Sequence, residues 1–364
     1  MRKEPIRVGI VGAGLFGTKL ADQITNVPGM TVAAIADIAP QRARGAFEEA
    51  GFGGPIVAAD SADAADREIE RGRRVVLEDG RALAESAIDV LVEATGVPNA
   101  GARHAHDAIL AGTDVVSVTV EMDTVVGPTL SALADEHGVT YSHAYGDQPA
   151  LMIELHDWAR TIGMDVVAVG RGSMHTEEYR LGTPDDVFDR FGYDEAFVDE
   201  HGLNPRMYNS FLDGTKMAVE TCALANATGL GVDVPGMHTP TLEPDEVPEV
   251  LRPDADGGVL TRSGVVETIS SLYPDGSTAA TDLSWSVFVV ARPPNRAVRE
   301  YLAQNDGSGF HVAGDGEYAF FYRPHHLPGI ETPVSVASVA LRGAPTGAPR
   351  GRHAEVVRAA TRPL

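Results

Sequence analysis

The sequence predicts an α/β chain of two domains: a doubly wound parallel sheet, then a second α/β (α+β) domain with a mainly antiparallel sheet. Three observations carry this reading. Short apolar runs at Ile6–Gly12, Thr31–Ala36, Ile88–Ala94 and Asp114–Val120 alternate with helical stretches, as parallel strands joined by crossovers do. Farther on, Val259–Leu272, Leu283–Ala291 and Glu317–Tyr322 read as strands of an antiparallel sheet. The 364 residues suffice for two cores. The first domain is placed at 1–150, the second at 151–342, and a Pro/Gly/Arg-rich tail at 343–364.

The first strand runs into Gly12-Ala13-Gly14-Leu15-Phe16-Gly17 and a helical stretch to about Thr25. That glycine spacing alone is a weak signal, but strand, turn and helix in this order make it the dinucleotide-binding turn of a Rossmann domain. Gly12 permits the tight turn, and Gly14 lets a pyrophosphate approach the backbone. Leu15 and Phe16 open the helix whose free N–H groups face the phosphates, and Gly17 allows close helix–strand packing. The second strand ends at Asp37, where a carboxylate hydrogen-bonds the adenosine ribose 2′-OH and repels a 2′-phosphate. NAD(H) is therefore favoured, while Arg42 and Arg44 close behind leave NADP(H) open.

Residues 45–88 read as a helix, then a charged segment with a short hairpin near Val75–Arg81, and receive no chemistry. The buried strand from Ile88 ends in Thr95-Gly96, which are expected on the nicotinamide side because strand ends line the cofactor crevice. Glu121, after the strand Asp114–Val120, is assigned to the same side, with a helix at about 127–137 to follow. In Tyr145-Gly146-Asp147-Gln148-Pro149, glycine makes a turn and proline suits the first turn of a helix at 150–161. Asp147 there is a helix cap or a site residue, and on sequence alone the cap is favoured. Met164–Gly172 opens the second domain as a strand, and the acidic excursion Glu177–His201 carries aromatic clusters suited to a lid.

The segment from Ser210 to Asn226 reads as one helix, with Ser210 as N-cap and Gly229 just past its end. On a helical wheel Phe211, Thr215, Ala218, Cys222 and Ala225 make a stripe of small side chains. Asp213, Lys216 and Glu220 share the opposite face, which turns apolar at Ala223, Leu224 and Ala227, so the three charges are expected in a cleft. Lys216 is one of only three lysines among 29 basic residues, and Lys before Glu is the weaker order for an i,i+4 pair. Both points favour a functional amine over a solvated surface pair.

A formal charge of -23 argues against nucleic acid or an anionic membrane as partners. The single cysteine, Cys222, rules out a disulfide within the chain and any multi-cysteine metal site. With no signal peptide and no apolar run long enough to span a bilayer, a cytoplasmic protein is expected. His325 and His326 are adjacent, so on a strand they point oppositely, and a structural role is expected for them.

Asn204-Pro205-Arg206-Met207, Asp213-Gly214-Thr215-Lys216 and Ala225-Asn226-Ala227-Thr228-Gly229-Leu230 resemble the signatures of the homoserine-dehydrogenase-like NAD(P) oxidoreductases. That group contains the 1-deoxy-D-xylulose-5-phosphate reductoisomerase-like enzyme and several antibiotic-cluster oxidoreductases, and the resemblance runs through nearly the whole chain. It implies hydride transfer on a small carbonyl or polyol compound, phosphorylated ones included, in a biosynthetic pathway for secondary metabolites. Lys216 would polarise the oxygen or donate the proton, and Asp213 and Glu220 would set its pKa and geometry. Arg171, Arg206 and Arg180 would hold an anionic group, with Asn204 also on the substrate side and the Asp147 loop near the active site. The family's common Gly-Lys-Gly-Thr-Lys-Tyr is Gly170-Arg171-Gly172-Ser173-Met174-His175 here, and its Tyr-His before Thr-Pro is Tyr179-Arg180. One amine and one imidazole are thereby replaced. Family members often continue from a segment like Glu355-Val-Val into a SAF domain, which this chain is expected to lack. No metal site is assigned, and a homo-oligomer is the expected state. One alternative is an isomeroreductase acting on a ketose phosphate with a divalent metal held by Glu121, Asp147 and Glu220. The other is a dinucleotide-binding sensor without catalysis.

Overall fold

The computed structural model describes residues 4–351. It divides into two compact units: the chain up to Leu151 together with the segment from Leu327, and Met152–His326.

The first unit runs β1 (Ile6–Val11), α1 (Leu15–Thr25), β2 (Met30–Ala36), α2 (Pro40–Glu49), β3 (Ile56–Ala58), α3 (Ala62–Glu70), β4 (Arg74–Leu77), α4 (Gly80–Ala84), β5 (Val90–Glu93), α5 (Pro98–Leu110), β6 (Asp114–Ser117), α6 (Val120–His137) and β7 (Tyr141–His143). Its seven strands lie in the order β3-β4-β2-β1-β5-β6-β7, all parallel. Both faces are covered, so central strands such as β1 are buried almost throughout. The hairpin expected near Val75–Arg81 is not formed. Instead β4 pairs parallel with β2, and Asp79 begins α4 as its N-cap, accepting from the Arg81 N–H at 2.9 Å. Helix α6 also begins earlier than about 127, which puts Glu121 in its first turn.

Helix α7 (Gln148–Thr161) leads into the second unit: β8 (Asp165–Ser173), α8 (Val187–Phe191), α9 (Glu195–His201), α10 (Pro205–Leu212), α11 (Thr215–Thr228), β9 (Gly231–Val232), α12 (Val247–Val250), β10 (Val265–Ser270), β11 (Val287–Arg292), α13 (Arg296–Gln304), β12 (Phe310–Val312) and β13 (Ala319–Arg323). The sheet order is β12-β13-β11-β8-β10-β9. Three of its five pairings are antiparallel, and β10 runs parallel to both β8 and β9. In β8 a Cβ on Gly170 would lie 1.7 Å from the Glu267 carbonyl oxygen, and one on Gly172 1.6 Å from that of Leu283. The two glycines admit neighbouring backbone on one face, while Arg171 between them points to the other.

The single helix expected from Ser210 to Asn226 is two. Gly214 adopts φ +85° and breaks it; α10 ends at Leu212 and α11 starts at Thr215. Ser210 lies inside α10 and donates to the Met207 carbonyl, while Asn204 is the N-cap, accepting from the N–H groups of Arg206 and Met207. Gly229 closes α11 in the left-handed conformation, as expected. The excursion at 177–201 is packed, with Phe188, Phe191, Tyr193, Phe197 and Tyr208 in one aromatic cluster that Phe211 joins.

Helix α14 (Pro333–Arg342) belongs to the first unit, packed against β6 and β7. The tail, expected to bury little, docks there in part. Thr346 N–H donates to Ser142 Oγ at 3.0 Å, and His143 N–H donates to the Gly347 carbonyl at 2.7 Å. Gly347 and Pro349 are buried. The β7 edge has an open N–H that the tail answers, which composition alone does not reveal. Residues 352–364, with Glu355-Val-Val, lie outside the described residues, and no described helix is long and apolar enough to cross a membrane.

Candidate active site

In the first unit the glycine turn is built as a cradle. Gly12 has φ +101°, and a Cβ there would meet the Ala94 carbonyl oxygen at 2.6 Å. A Cβ on Gly17 would lie 2.0 Å from the Gly12 carbonyl oxygen, whereas one on Gly14 meets nothing within 4 Å. Gly12 and Gly17 therefore hold strand and helix together, and Gly14 faces open space at the start of α1. Leu15 is exposed there, while Phe16 packs partly on the core. Asp37 is tied to the turn: one carboxylate oxygen accepts the Ala13 N–H at 2.8 Å, the other the Ala39 N–H at 2.9 Å. Arg42 and Arg44 are exposed on α2.

At the end of β5 the loop of Thr95 and Gly96 rests on a fully buried carboxylate, Glu93. Glu93 accepts from the hydroxyls of Thr95 and Thr119, and Thr119 Oγ1 accepts the Gly96 N–H at 3.1 Å. The carboxyl ends of β1, β2 and β5 thus present a glycine turn, a pinned carboxylate and a braced loop, and this donor and acceptor set fits a dinucleotide. Asp147 precedes α7 and accepts the Gln148 N–H at 3.1 Å.

In the second unit the charged residues meet around Glu220, which is 1% exposed. Arg171 Nη1 donates to one carboxylate oxygen of Glu220, and Lys216 Nζ stands 3.4 Å from the other. Burial pushes the Glu220 carboxyl up, but the charges of Arg171, Lys216 and His326 outweigh it and hold it below the ordinary carboxylate range. Arg171, expected to grip a substrate anion, is buried and committed to Glu220 and the Gly172 carbonyl. Lys216 keeps a side chain 19% exposed. Asp213, expected on the same helical face, precedes α11: it accepts the Thr215 N–H at 2.8 Å and the Asn209 amide at 2.9 Å. Asn204, expected on the substrate side, spends its side-chain oxygen capping α10, and Arg206 is exposed beside it. Arg180 pairs with Glu177 at 2.6 Å.

The start of α11 also borders a cavity of about 380 Å³, lined by Asp213, Gly214, Met217 and Ala218 together with His175, Arg180 and His238. His238 was not singled out in the sequence. Its ring Nδ1 is 2.7 Å from Glu267, a fully buried carboxylate on β10 that also accepts the His238 backbone N–H. The Glu267 hydrogen bond raises the imidazole pKa against the opposing effect of burial, with the charges of Glu267 and Asp233 adding to the rise. Its neighbours Met237 and Thr239 have φ of 66° and 48°, the two non-glycine residues in the left-handed region among those described. Such conformations cost about 1–3 kcal/mol each and persist only where the surroundings fix them.

Residues 146–332 match the catalytic domain of oxidoreductase DRL. The chain belongs to this family. It is therefore an enzyme of oxidation and reduction, and its glycine turn makes it a dehydrogenase or reductase dependent on NAD(P). No curated protein matches the chain. Among solved structures it is similar to a probable dehydrogenase from Thermotoga maritima, with 12% identity over 93% of this chain and 90% of that one and a TM-score of 0.46. It is also similar to apo scyllo-inositol dehydrogenase from Lactobacillus casei, with 19% identity and a TM-score of 0.33 over 48% of this chain. That alignment spans 46%, about half, of the inositol dehydrogenase. A third is 1-deoxy-D-xylulose 5-phosphate reductoisomerase from Zymomonas mobilis in complex with NADPH, with 14% identity over 61% and 58% of the two chains and a TM-score of 0.40. The DRL domain takes in both charged groups of the second unit, Arg171–Glu220–Lys216 and His238–Glu267.

The sequence signals for the missed residues were faint. His238 lies in a Pro/Asp/Glu-rich connection without periodicity, and Glu93 looked like one more residue of a buried strand. His326, expected to be structural, bears on Glu220 through its charge and lies against Trp285 with ring centroids 5.2 Å apart.

Proposed function

We propose that this DRL-family enzyme transfers a hydride between a nicotinamide dinucleotide and a small carbonyl or polyol compound, with Lys216 handling the proton at the reacting oxygen. The observation that carries the proposal is the buried Glu220 carboxylate shared between Arg171 and Lys216. Arg171 neutralises one oxygen and fixes the carboxylate, and the second oxygen holds the Lys216 ammonium in place. An ammonium has three N–H donors, one of which we assign to a substrate oxygen. In reduction that oxygen gains charge as the carbonyl is consumed. Lys216 donates to it first as a hydrogen-bond donor and then as an acid, and takes the proton back in oxidation. The dinucleotide, when bound, supplies or accepts the hydride. Asp37 beside the glycine turn supports NAD(H) over NADP(H), since a 2′-phosphate would meet its negative charge. Because Glu220 is engaged by two cations, a role as ion-pair partner is favoured over a metal ligand, and with it simple oxidoreduction over the isomeroreductase alternative.

The test begins with small aldehydes, ketoses and their phosphates assayed with NADH and NADPH, where NADH should serve better. On the best substrate, Lys216→Met should lower turnover by about two to four orders of magnitude, the usual range for a lost general acid. Dinucleotide affinity should stay unchanged. A stable Lys216→Met protein with near-normal turnover would sink the assignment.

A further inference from the structure

The cavity beside α11 has chemistry of its own, and neither Lys216 nor Glu220 lines it. On one wall stands His238, whose Nδ1–H is given to Glu267 at 2.7 Å. Its Nε2 is 3.7 Å from Asp233, too far for a hydrogen bond, and makes none among the described residues. Asp233 is already occupied, accepting the Thr261 N–H at 2.9 Å and the Thr261 hydroxyl. A histidine present only to neutralise Glu267 needs no strained neighbours. Here Met237 and Thr239, both on the cavity wall, are held at positive φ on either side. That backbone aims the His238 N–H and its ring at the same carboxylate and leaves Nε2 as the ring atom still to be used, an acceptor on the neutral ring and a donor on the imidazolium.

Charge decides what such a donor would meet. Glu177, Glu178 and Asp213 line the cavity, and Glu267 and Asp233 flank His238. Against these five carboxylates stand Arg180, itself paired with Glu177, and the imidazoles of His175 and His238. An anionic ligand would enter a net negative field. A neutral molecule with several hydroxyls suits it, since hydroxyls both donate to carboxylates and accept from imidazolium. We propose that this cavity binds a neutral polyhydroxylated small molecule, with His238 Nε2 as its principal polar contact. This goes beyond the oxidoreductase reading, since Lys216 does not line the cavity, and it is tested by binding alone. Its failure is therefore distinguishable from a failure of the Lys216 assignment.

The experiment titrates D-glucose, glycerol and D-glucose 6-phosphate into the full chain without dinucleotide. It follows the His238 imidazole proton resonance, assigned by its loss in His238→Gln, together with binding heat. The neutral probes should move that resonance and bind at least about tenfold more tightly than the phosphate ester, as like charge disfavours the latter. His238→Gln should weaken them by about tenfold or more, the worth of a lost charge-assisted hydrogen bond. Ala218→Phe, which fills the cavity from the α11 wall, should abolish binding while leaving the pH titration of His238 as in the parent. It keeps the test open if His238→Gln does not fold. Tighter binding of the phosphate ester, a His238 resonance unmoved by glucose and glycerol, or undiminished binding in Ala218→Phe would each overturn the proposal.

Discussion

In the first unit the dinucleotide cradle is made of backbone: a turn at Gly12–Gly17 whose glycines let the Ala94 and Gly12 carbonyls come close, and an Asp37 carboxylate held by two N–H groups. In the second unit the charged groups are side chains held by other side chains, Lys216 and Arg171 on Glu220 and His238 on Glu267. A backbone site fails when a Cβ is added; a side-chain site fails when a charge is removed or titrated. The two units therefore answer to different perturbations, and each can be broken while the other is left standing.

The largest effect is expected from Gly17→Ala. The new Cβ would lie 2.0 Å from the Gly12 carbonyl oxygen, so α1 must move off β1. Overpacking of this kind costs about 1–3 kcal/mol, and the moved helix start should weaken NADH binding by about tenfold or more. Fluorescence titration with NADH checks it. Normal binding would place the dinucleotide elsewhere and erase the contrast between the units.

A smaller effect should follow removal of the chain from Thr346 onward. The cut leaves the buried His143 N–H without the Gly347 carbonyl and deprives Ser142 and the His143 carbonyl of Thr346. Each such loss is worth about 1 kcal/mol, so the melting temperature should fall by several degrees while the His238 resonance stays put. An unchanged melting temperature would mean that the docked segment contributes nothing to the first unit.

The smallest effect separates the two acid pairs of the second unit by pH. His238 has a raised pKa, so its contribution to stability is fully present below the ordinary 6.5 and fades as pH rises through the raised value. Glu220 has a lowered pKa, so its contribution is present above the ordinary 4.5 and fades as pH falls through the lowered value. His238→Gln should flatten the alkaline limb of the stability profile and leave the acid limb intact. Because His238 is partly exposed, the change should be about 1 kcal/mol or less. Denaturant melts across pH would show whether both limbs instead move together, which would merge the two groups into one network.

The sequence by itself determined the parallel sheet, the glycine turn with Asp37, the helix end at Gly229 and the placing of Lys216 beside Glu220. All of these depend on residues close together in the chain, or on the steady alternation of strand and helix. It misjudged the stretch from Ser210 because Asp213-Gly214 sits in an otherwise helical pattern, and only the backbone shows Gly214 at positive φ. It likewise read a short hairpin near Val75–Arg81, where β4 pairs parallel with β2 and Asp79 caps the helix that follows. The tertiary structure alone decided that Arg171 serves Glu220, 49 residues away, and that His238 serves Glu267, 29 residues away. Buried charges must find partners wherever the fold brings them, and partner choice across that distance leaves no periodicity in the chain.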